Sequence, residues 1–172
     1  MTALFHSAPP FRLAAATLLL LAATVLPACT GGRAAAQDEP AMEAGAQSLA
    51  TVPLTVTTGK GVHRFTVEVA RTGDEQATGL MFRRSLAHDR GMIFPMDPPR
   101  DAGFWMRNTL IPLDLLFVRA DGTIARVAAD AVPLSLDVIP SGEPVAAVLE
   151  LAGGEAARRG IVAGDRVTWP AP

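Results

Sequence analysis

The sequence is poor in the residues on which covalent and metal-dependent chemistry most often depends. Its 172 residues include one cysteine, three histidines and no tyrosine. The single cysteine, Cys29, cannot form an internal disulfide. Because Cys29 lies near the N-terminus, ahead of the predicted domain, a cysteine nucleophile is excluded from that domain. The absence of tyrosine removes one common general acid.

Other chemical signatures are missing as well. His6, His63 and His88 stand apart in the sequence, and no group of His, Cys and Asp residues has zinc-ligand spacing, so we expect no metal. No serine lies in a G-x-S-x-G turn, and neither common glycine-rich phosphate loop is present. We therefore expect no cofactor. The sequence leaves enzymatic activity undecided and favours its absence.

The charge of the chain is close to balanced, with a formal net charge of −2. A chain of this charge has no basic field to attract a phosphate backbone, so we expect no nucleic-acid partner. Hydrophobic residues make up 49% of the sequence, which predicts a packed core and argues against global disorder. The length suits one domain preceded by a leader.

The N-terminus has the pattern of a secretory signal peptide, predicted over residues 1–28. Residues 13–26 form an apolar segment, and as a helix they span about 21 Å, less than the roughly 30 Å hydrocarbon core of a bilayer. The sequence Leu26-Pro27-Ala28-Cys29 resembles the bacterial lipobox, although Pro27 is unusual there. We therefore predict a lipoprotein with its lipid on Cys29, held at the periplasmic face of a membrane that it does not span.

Two alternatives to this lipid anchor remain open. Small residues ahead of Gln37 also suit ordinary cleavage after Ala36, which predicts a soluble periplasmic protein. An uncleaved N-terminal anchor is the other alternative. Under the lipoprotein interpretation, Thr30 after the cysteine favours outer-membrane sorting in a two-membrane bacterium. Residues 29–51 are rich in small residues and lack apolar periodicity, so we expect a flexible spacer there and one globular domain over residues 52–172.

The segment Gly103–Arg119 is the densest apolar stretch outside the leader. Its residues 113–118 have apolar side chains at both alternating sets of positions, which predicts a central strand covered on both faces. Asp114 is the one charged residue within that strand. A carboxyl group at such depth requires a hydrogen-bonding partner or a raised pKa.

Other elements follow from local signals. Alternating apolar residues on both sides of Thr58–Gly61 predict a hairpin, and Thr72 with Glu75 forms a capping box ahead of a helix over residues 74–82. Gly91–Phe94 is predicted to be a short strand ended by Pro95. The prolines of residues 97–101 predict irregular structure.

The second half of the chain predicts two more strands and a second helix. Asp121-Gly122 between apolar runs suits a type I′ hairpin turn, and residues 145–151 alternate as a strand. A short helix over residues 154–160 is closed by Gly160. Together these signals predict an α+β fold: a mostly antiparallel β-sheet, curled into a partial barrel, with two short helices.

Polar residues beside apolar strands are the candidate site residues. The predicted ligand-binding residues are Trp105, Arg107, Asn108 and Thr109. Asp114 and Glu150 are weak catalytic candidates, because two carboxyl groups in one pocket can divide acid and base roles. The structural alternatives are that Asp114 caps a bend or pairs with an arginine, and that Glu150 faces solvent. We expect a solvated loop or an anion-facing rim at Arg83, Arg84, His88 and Arg90.

Several segments together resemble one family. They are ATGLMFRRSL, GMIFPM, FWMRNTLIPLDLLFVRADGTIARV, IPSGEPVAAVLEL and AARRGIVAGDRV, in that order. Over about residues 54–169 the chain resembles the bacterial and archaeal family called domain of unknown function 192. The resemblance implies a small exported or envelope-associated protein and carries no established activity.

Three functional hypotheses remain from the sequence. The first is a non-catalytic envelope module that binds a small ligand or an envelope protein through the surface from Trp105 to Thr109. The second is a hydrolase or lyase that uses Asp114 and Glu150, which requires the two carboxyl groups to lie within about one water molecule of each other. The third is a purely structural envelope domain.

Overall fold

Nine strands and two short helices form within residues 44–170, the part of the chain that this computed structural model describes. In chain order they are β1 (Thr51–Thr58), β2 (Gly61–Val69), α1 (Gly73–Thr78), β3 (Arg90–Arg100), β4 (Gly103–Phe104), β5 (Leu113–Val118), β6 (Ile124–Ala131), β7 (Ile139–Pro140), β8 (Val145–Ala152), α2 (Glu155–Arg159) and β9 (Arg166–Thr168). The predicted signal peptide, the lipidation site Cys29 and the alternative cleavage point at Ala36 lie outside the described residues. Within residues 44–170 no helix has the length and apolar character needed to cross a membrane.

Seven strands form one sheet in the order β6-β5-β8-β3-β2-β1-β9, and β4 pairs separately with β7. Every neighbouring pair is antiparallel except β2 with β3. The predicted α+β class and mostly antiparallel sheet are therefore confirmed. The predicted curling into a partial barrel is not confirmed, because β6 and β9 remain the two edges of the strand order and the sheet is not closed.

Strand β5 lies between β6 and β8, and all six of its residues are buried. Its alternating side chains divide between two hydrophobic clusters, one on each face of the sheet. Leu116 and Val118 join the cluster that contains Val67, and Leu115 and Phe117 join the other. The predicted central strand, covered on both faces, is confirmed.

Helix α1 begins at the predicted capping box. The Thr72 hydroxyl accepts from the Glu75 backbone N–H at 3.2 Å, and the Glu75 carboxylate accepts from the Thr72 N–H at 2.9 Å. The helix ends at Thr78, earlier than predicted, because Gly79 leaves helical geometry with a φ of 49°. This left-handed backbone strains residues that have a side chain, which accounts for glycine here; an added Cβ would make only an ordinary contact, 3.4 Å from the Phe94 ring.

Two local predictions were wrong. Strand β3 does not stop at Pro95; it continues to Arg100, with a register shift against β8 that takes the intervening prolines out of the ladder. The turn before β6 is not type I′, which needs positive φ at both central residues. Here Gly122 alone is left-handed, the Gly122 N–H donates to the Arg119 carbonyl, and Asp121 holds the turn by accepting from the Thr123 N–H at 2.8 Å.

The packed domain also begins before the predicted boundary at residue 52. The Gln47 side chain donates to the carbonyls of Glu75 and Gly79, and the Leu49 N–H donates to the Glu68 carboxylate at 2.7 Å. The predicted spacer therefore ends before Gln47, because a polar side chain in this stretch satisfies the carbonyls at the end of α1.

Candidate functional site

A partly open cavity of about 380 Å³ lies between α1 with its following turn, the middle of β3 and the segment 100–105. About half of its wall is apolar, formed by Leu80, Met81, Phe94, Met96, Phe104 and Trp105, and the other half is polar. The rings of Phe94 and Phe104 meet edge to face with centroids 5.1 Å apart, which fixes one wall. The size and the apolar lining are those of a site for a small molecule.

Glu150 of β8 lies in the wall of this cavity with 5% of its surface exposed. On the sheet it faces away from Leu149 and Leu151, beside Leu115 on one neighbouring strand and Met92 on the other. No group among residues 44–170 forms a hydrogen bond with its carboxyl group. Burial raises the pKa of Glu150 to about 8, against an opposing effect of Arg83. At neutral pH this carboxyl group is therefore mostly protonated.

Arg83 lies near Glu150 and is also buried, contrary to the solvated loop or rim predicted for it. It donates to both carboxylate oxygens of Glu68, at 2.6 and 2.9 Å, and to the Gln47 carbonyl at 2.6 Å. Its Nε is buried and has no partner among the described residues. Because Glu68 neutralises Arg83, the charge of the arginine does not hold Glu150 ionised.

The four predicted ligand-binding residues are distributed around this cavity. Trp105, with 47% of its surface exposed, and the buried Thr109 line it. The Arg107 guanidinium lies 5.6 Å from the centre of the Trp105 ring, outside the cavity wall. Asn108 has a left-handed φ of 54°, and its side-chain amide contacts the sulfur of Met81, a wall residue, at 3.8 Å. The structure thus brings two of the four residues to the cavity and places the other two against it.

Asp114 lies on the opposite face of the sheet from Glu150. The Asp114 carboxylate accepts from three backbone N–H groups, those of Asp130 at 2.8 Å, Gly154 at 3.2 Å and Ala156 at 2.7 Å. It therefore fastens the start of α2 to the sheet, and no arginine pairs with it among the bonds described. The acid–base pair proposed for Asp114 and Glu150 is not formed, because neighbouring ladder positions point to opposite faces. The expectation that Glu150 faces solvent was also wrong.

A second charged cluster surrounds Glu155 at the start of α2. His88 Nδ1 lies 2.5 Å from one carboxylate oxygen, Arg159 Nε lies 2.9 Å from the other, and Arg158 contacts both. Burial alone would raise the pKa of Glu155, but these hydrogen bonds lower it to about 2. Since the carboxylate is saturated by cations, we assign this cluster to stability.

A wider groove of about 500 Å³ lies beside β9 and is lined by Arg166, Trp169 and Asp121. It is shallower than the cavity at Glu150, and the carboxylate of Asp121 already accepts from Thr123. Among residues 44–170 no group of three His, Cys, Asp or Glu side chains is placed to hold a metal ion. The cavity with its buried, unpartnered acid is therefore the stronger candidate site.

Most of the cavity wall carries no signal in the sequence. Leu80, Phe94, Met96 and Phe104 have ordinary core patterns, and only their tertiary packing leaves a space between them.

Comparison with known proteins places this chain in a recognisable group. The family model DUF192, described as Uncharacterized ACR, COG1430, matches residues 54–169. Five solved chains match as well. One, a protein of unknown function from Novosphingobium aromaticivorans DSM 12444, is 50% identical with a TM-score of 0.70, over 76% of this chain and 93% of that one. Another, a candidate transcription regulator from Sinorhizobium meliloti 1021, is 43% identical with a TM-score of 0.69, over 72% and 96%. No curated protein matches.

Proposed function

The chain belongs to the DUF192 family, and we propose that this member is a non-catalytic binding module, exported and lipid-anchored, whose cavity takes a small, largely apolar molecule. The observation that carries the proposal is the carboxyl group of Glu150, which is buried in the cavity wall without a hydrogen-bonding partner among the described residues. The carboxyl group is not sealed inside the protein: among residues 44–170 the fully buried side-chain polar atoms without a partner are His63 Nε2 and Arg83 Nε, whereas Glu150 lines the open cavity. A ligand in the cavity can therefore form a hydrogen bond with Glu150.

The protonation state of Glu150 sets the chemistry of the ligand. With a pKa of about 8, the carboxyl group is mainly neutral at pH 7 and donates a hydrogen bond. Its matching group is a neutral acceptor such as a carbonyl oxygen. The rest of the ligand contacts the aromatic and aliphatic wall, so it is predominantly apolar.

The residues at the edge of the cavity support the same proposal. Trp105 is half exposed at the cavity edge, where an aromatic ring can cover a bound molecule, and Arg107 lies against the ring of Trp105. Arg100 and Asp101 both line the cavity, so their opposite charges give an anionic ligand such as a phosphate no net attraction.

A matched pair of compounds tests this ligand class. 1-Tetralone and tetralin have the same bicyclic body, and only the ketone offers an acceptor. NMR titration of the full chain carrying Cys29→Ser should show shifts at the cavity residues Leu80 and Thr109 with both compounds. We expect 1-tetralone to bind roughly ten times more tightly at pH 6, the equivalent of about 1.4 kcal/mol for one hydrogen bond.

Variants of Glu150 sharpen the test. Binding of 1-tetralone should weaken above pH 8 as the carboxyl group ionises and loses its donor proton. Glu150→Gln keeps a donor, so the affinity should persist and its pH dependence should vanish. Glu150→Leu should bind ketone and hydrocarbon equally. Equal binding of the two compounds to the unmodified site at pH 6, or shifts confined to residues outside the cavity, would contradict the proposal.

Export and lipid anchoring are supported by the leader alone, since residues 13–26 and Cys29 follow the lipoprotein pattern. Mass spectrometry of the mature protein tests this part. We expect an N-terminal residue at position 29 carrying a diacylglycerol adduct. A mature chain that begins at Gln37 would support soluble export.

A further inference from the structure

The loop between β6 and β7 exposes four aliphatic side chains in succession. Val132, Leu134, Leu136 and Val138 are each between 57% and 67% exposed, although they are spaced like the apolar positions of a buried strand. We call residues 132–138 the apolar loop. Together with Trp105 they expose on the order of 500 Å² of apolar residue surface, as much as the largest patch on an ordinary monomer, and such patches are often functional.

The backbone holds the apolar loop in this outward position. The Leu134 N–H donates to the Thr109 carbonyl at 3.1 Å, and the Met106 N–H donates to the Ser135 carbonyl at 3.0 Å. Leu134 has a φ of 63°, a left-handed conformation that costs free energy for a leucine. The loop is therefore fixed against the segment that carries Trp105, with its leucine presented to the outside.

The described chain begins beside this surface. Gly45 lies against the Phe82 ring, and the Phe82 N–H donates to the carbonyl of Asn108, the residue before Thr109. Cys29 precedes Gly45 by 16 residues. A stretch of that length reaches at most about 58 Å, so a lipid on Cys29 would leave this side of the domain within reach of the bilayer. The inference that follows rests on the proposed lipid anchor.

We propose that the apolar loop and Trp105 dock on the phospholipid surface to which Cys29 is anchored. Aliphatic side chains enter the boundary between headgroups and acyl chains, while tryptophan and arginine rest at the headgroup level, as Trp105 and Arg107 are placed to do. Asp137 accepts from the Ser135 hydroxyl at 3.2 Å and limits insertion to a shallow depth. The tether raises the effective concentration of the bilayer, so a weak docking contact suffices.

A second copy of the chain is the less favoured occupant of this surface. A stable protein interface buries roughly 800 Å² on each partner, more than this patch exposes. Docking on the bilayer also brings Trp105, which lines the cavity, to the lipid surface.

Depth-dependent fluorescence quenching tests the proposal. Full-length protein carrying Trp169→Phe retains Trp105 as its one tryptophan of the mature domain. It is reconstituted in vesicles of phosphatidylethanolamine and phosphatidylglycerol at 3:1, with ordinary or brominated acyl chains. We expect brominated lipid to lower the Trp105 emission at least twofold. Leu134→Asn with Leu136→Ser should remove most of that quenching.

The matched control is Val62→Ser with Val162→Ser, which removes two aliphatic side chains of similar exposure from other segments. It should leave the quenching unchanged, and circular dichroism should show that all variants fold. Unquenched Trp105 in a protein that floats with the vesicles overturns docking and leaves the anchor standing. Quenching in a protein whose mass shows no lipid on Cys29 overturns the anchor and supports docking. The protein could instead form a dimer in which Trp105 is unquenched, and the loop variant could be a monomer. That result assigns the surface to a second copy and overturns docking.

Discussion

Asp114 and Glu150 occupy neighbouring positions in the ladder between β5 and β8, and both are buried. Asp114 accepts three backbone hydrogen bonds, whereas Glu150 accepts none from the described residues and lines a cavity. The same residue class at the same depth therefore has two consequences. A satisfied carboxylate stabilises the fold, and an unsatisfied one reserves its hydrogen-bonding capacity for a ligand.

Removing the satisfied carboxylate tests the structural half of this comparison. Asp114→Ala leaves the N–H groups of Asp130, Gly154 and Ala156 without their acceptor, so we expect a loss of about 4 kcal/mol in the free energy of unfolding. Urea denaturation measures it. Asp89→Ala, at an exposed position, is the control and should change the stability by less than about 0.5 kcal/mol.

Glu150→Gln tests the other half and should act in the opposite direction. Because the folded-state pKa of about 8 lies above the unfolded value, ionisation of Glu150 destabilises the native protein as the pH rises from about 4.5 to 8. The variant should be more stable than the original by up to about 5 kcal/mol at pH 9 and nearly equal at pH 4. Urea titrations at the two pH values check this. If the stability difference between the variant and the original were the same at both pH values, Glu150 would be solvated.

Glu155→Gln extends the comparison to a carboxylate paired with cations. Its folded pKa of about 2 lies below the unfolded value, so its stabilisation is present above about pH 4.5 and is lost as the pH falls towards 2. We expect the variant to lose about 2 kcal/mol at pH 7 and almost nothing at pH 2. His88→Ala should cost less, because that imidazole is largely exposed. Thermal unfolding at pH 7 and pH 2 separates these outcomes.

Trp105→Ala should have the smallest effect on stability, below about 1 kcal/mol, because the ring is half exposed. Its effect should instead be on 1-tetralone binding, with a loss of roughly tenfold in affinity. Trp169→Ala, outside the cavity, is the control for binding. A large loss of stability with unchanged affinity would move Trp105 from the binding site to the core.

Local patterns predicted much of the fold. The alternation in β5, the capping box at Thr72 and the glycine that closes α2 are short-range features, and each occurs where expected. The errors fell where long-range pairing overrides local chemistry. Strand β3 passes through its prolines because β8 pairs again at Arg100. Helix α1 ends early because Gly79 leaves helical geometry.

The candidate site was less predictable. Trp105 and Thr109 could be selected from their position in a polar cluster beside a strand, and they line the cavity. The burial of Arg83 could not be foreseen, since its partners Glu68 and Gln47 lie 15 and 36 residues away. Asp114 and Glu150 point to opposite faces of the sheet because of the register between β5 and β8, and the sequence alone does not fix that register.

The sequence by itself determined the strands and helices, the family and the depth at which Asp114 would lie, because these depend on period, composition and near neighbours. The tertiary structure alone decided which acid is satisfied and where a cavity remains. Whether a buried carboxyl group finds N–H donors depends on segments that are distant in sequence, such as residues 130 and 154–156 for Asp114. Among residues 44–170, no distant segment brings backbone N–H donors to Glu150 in the same way.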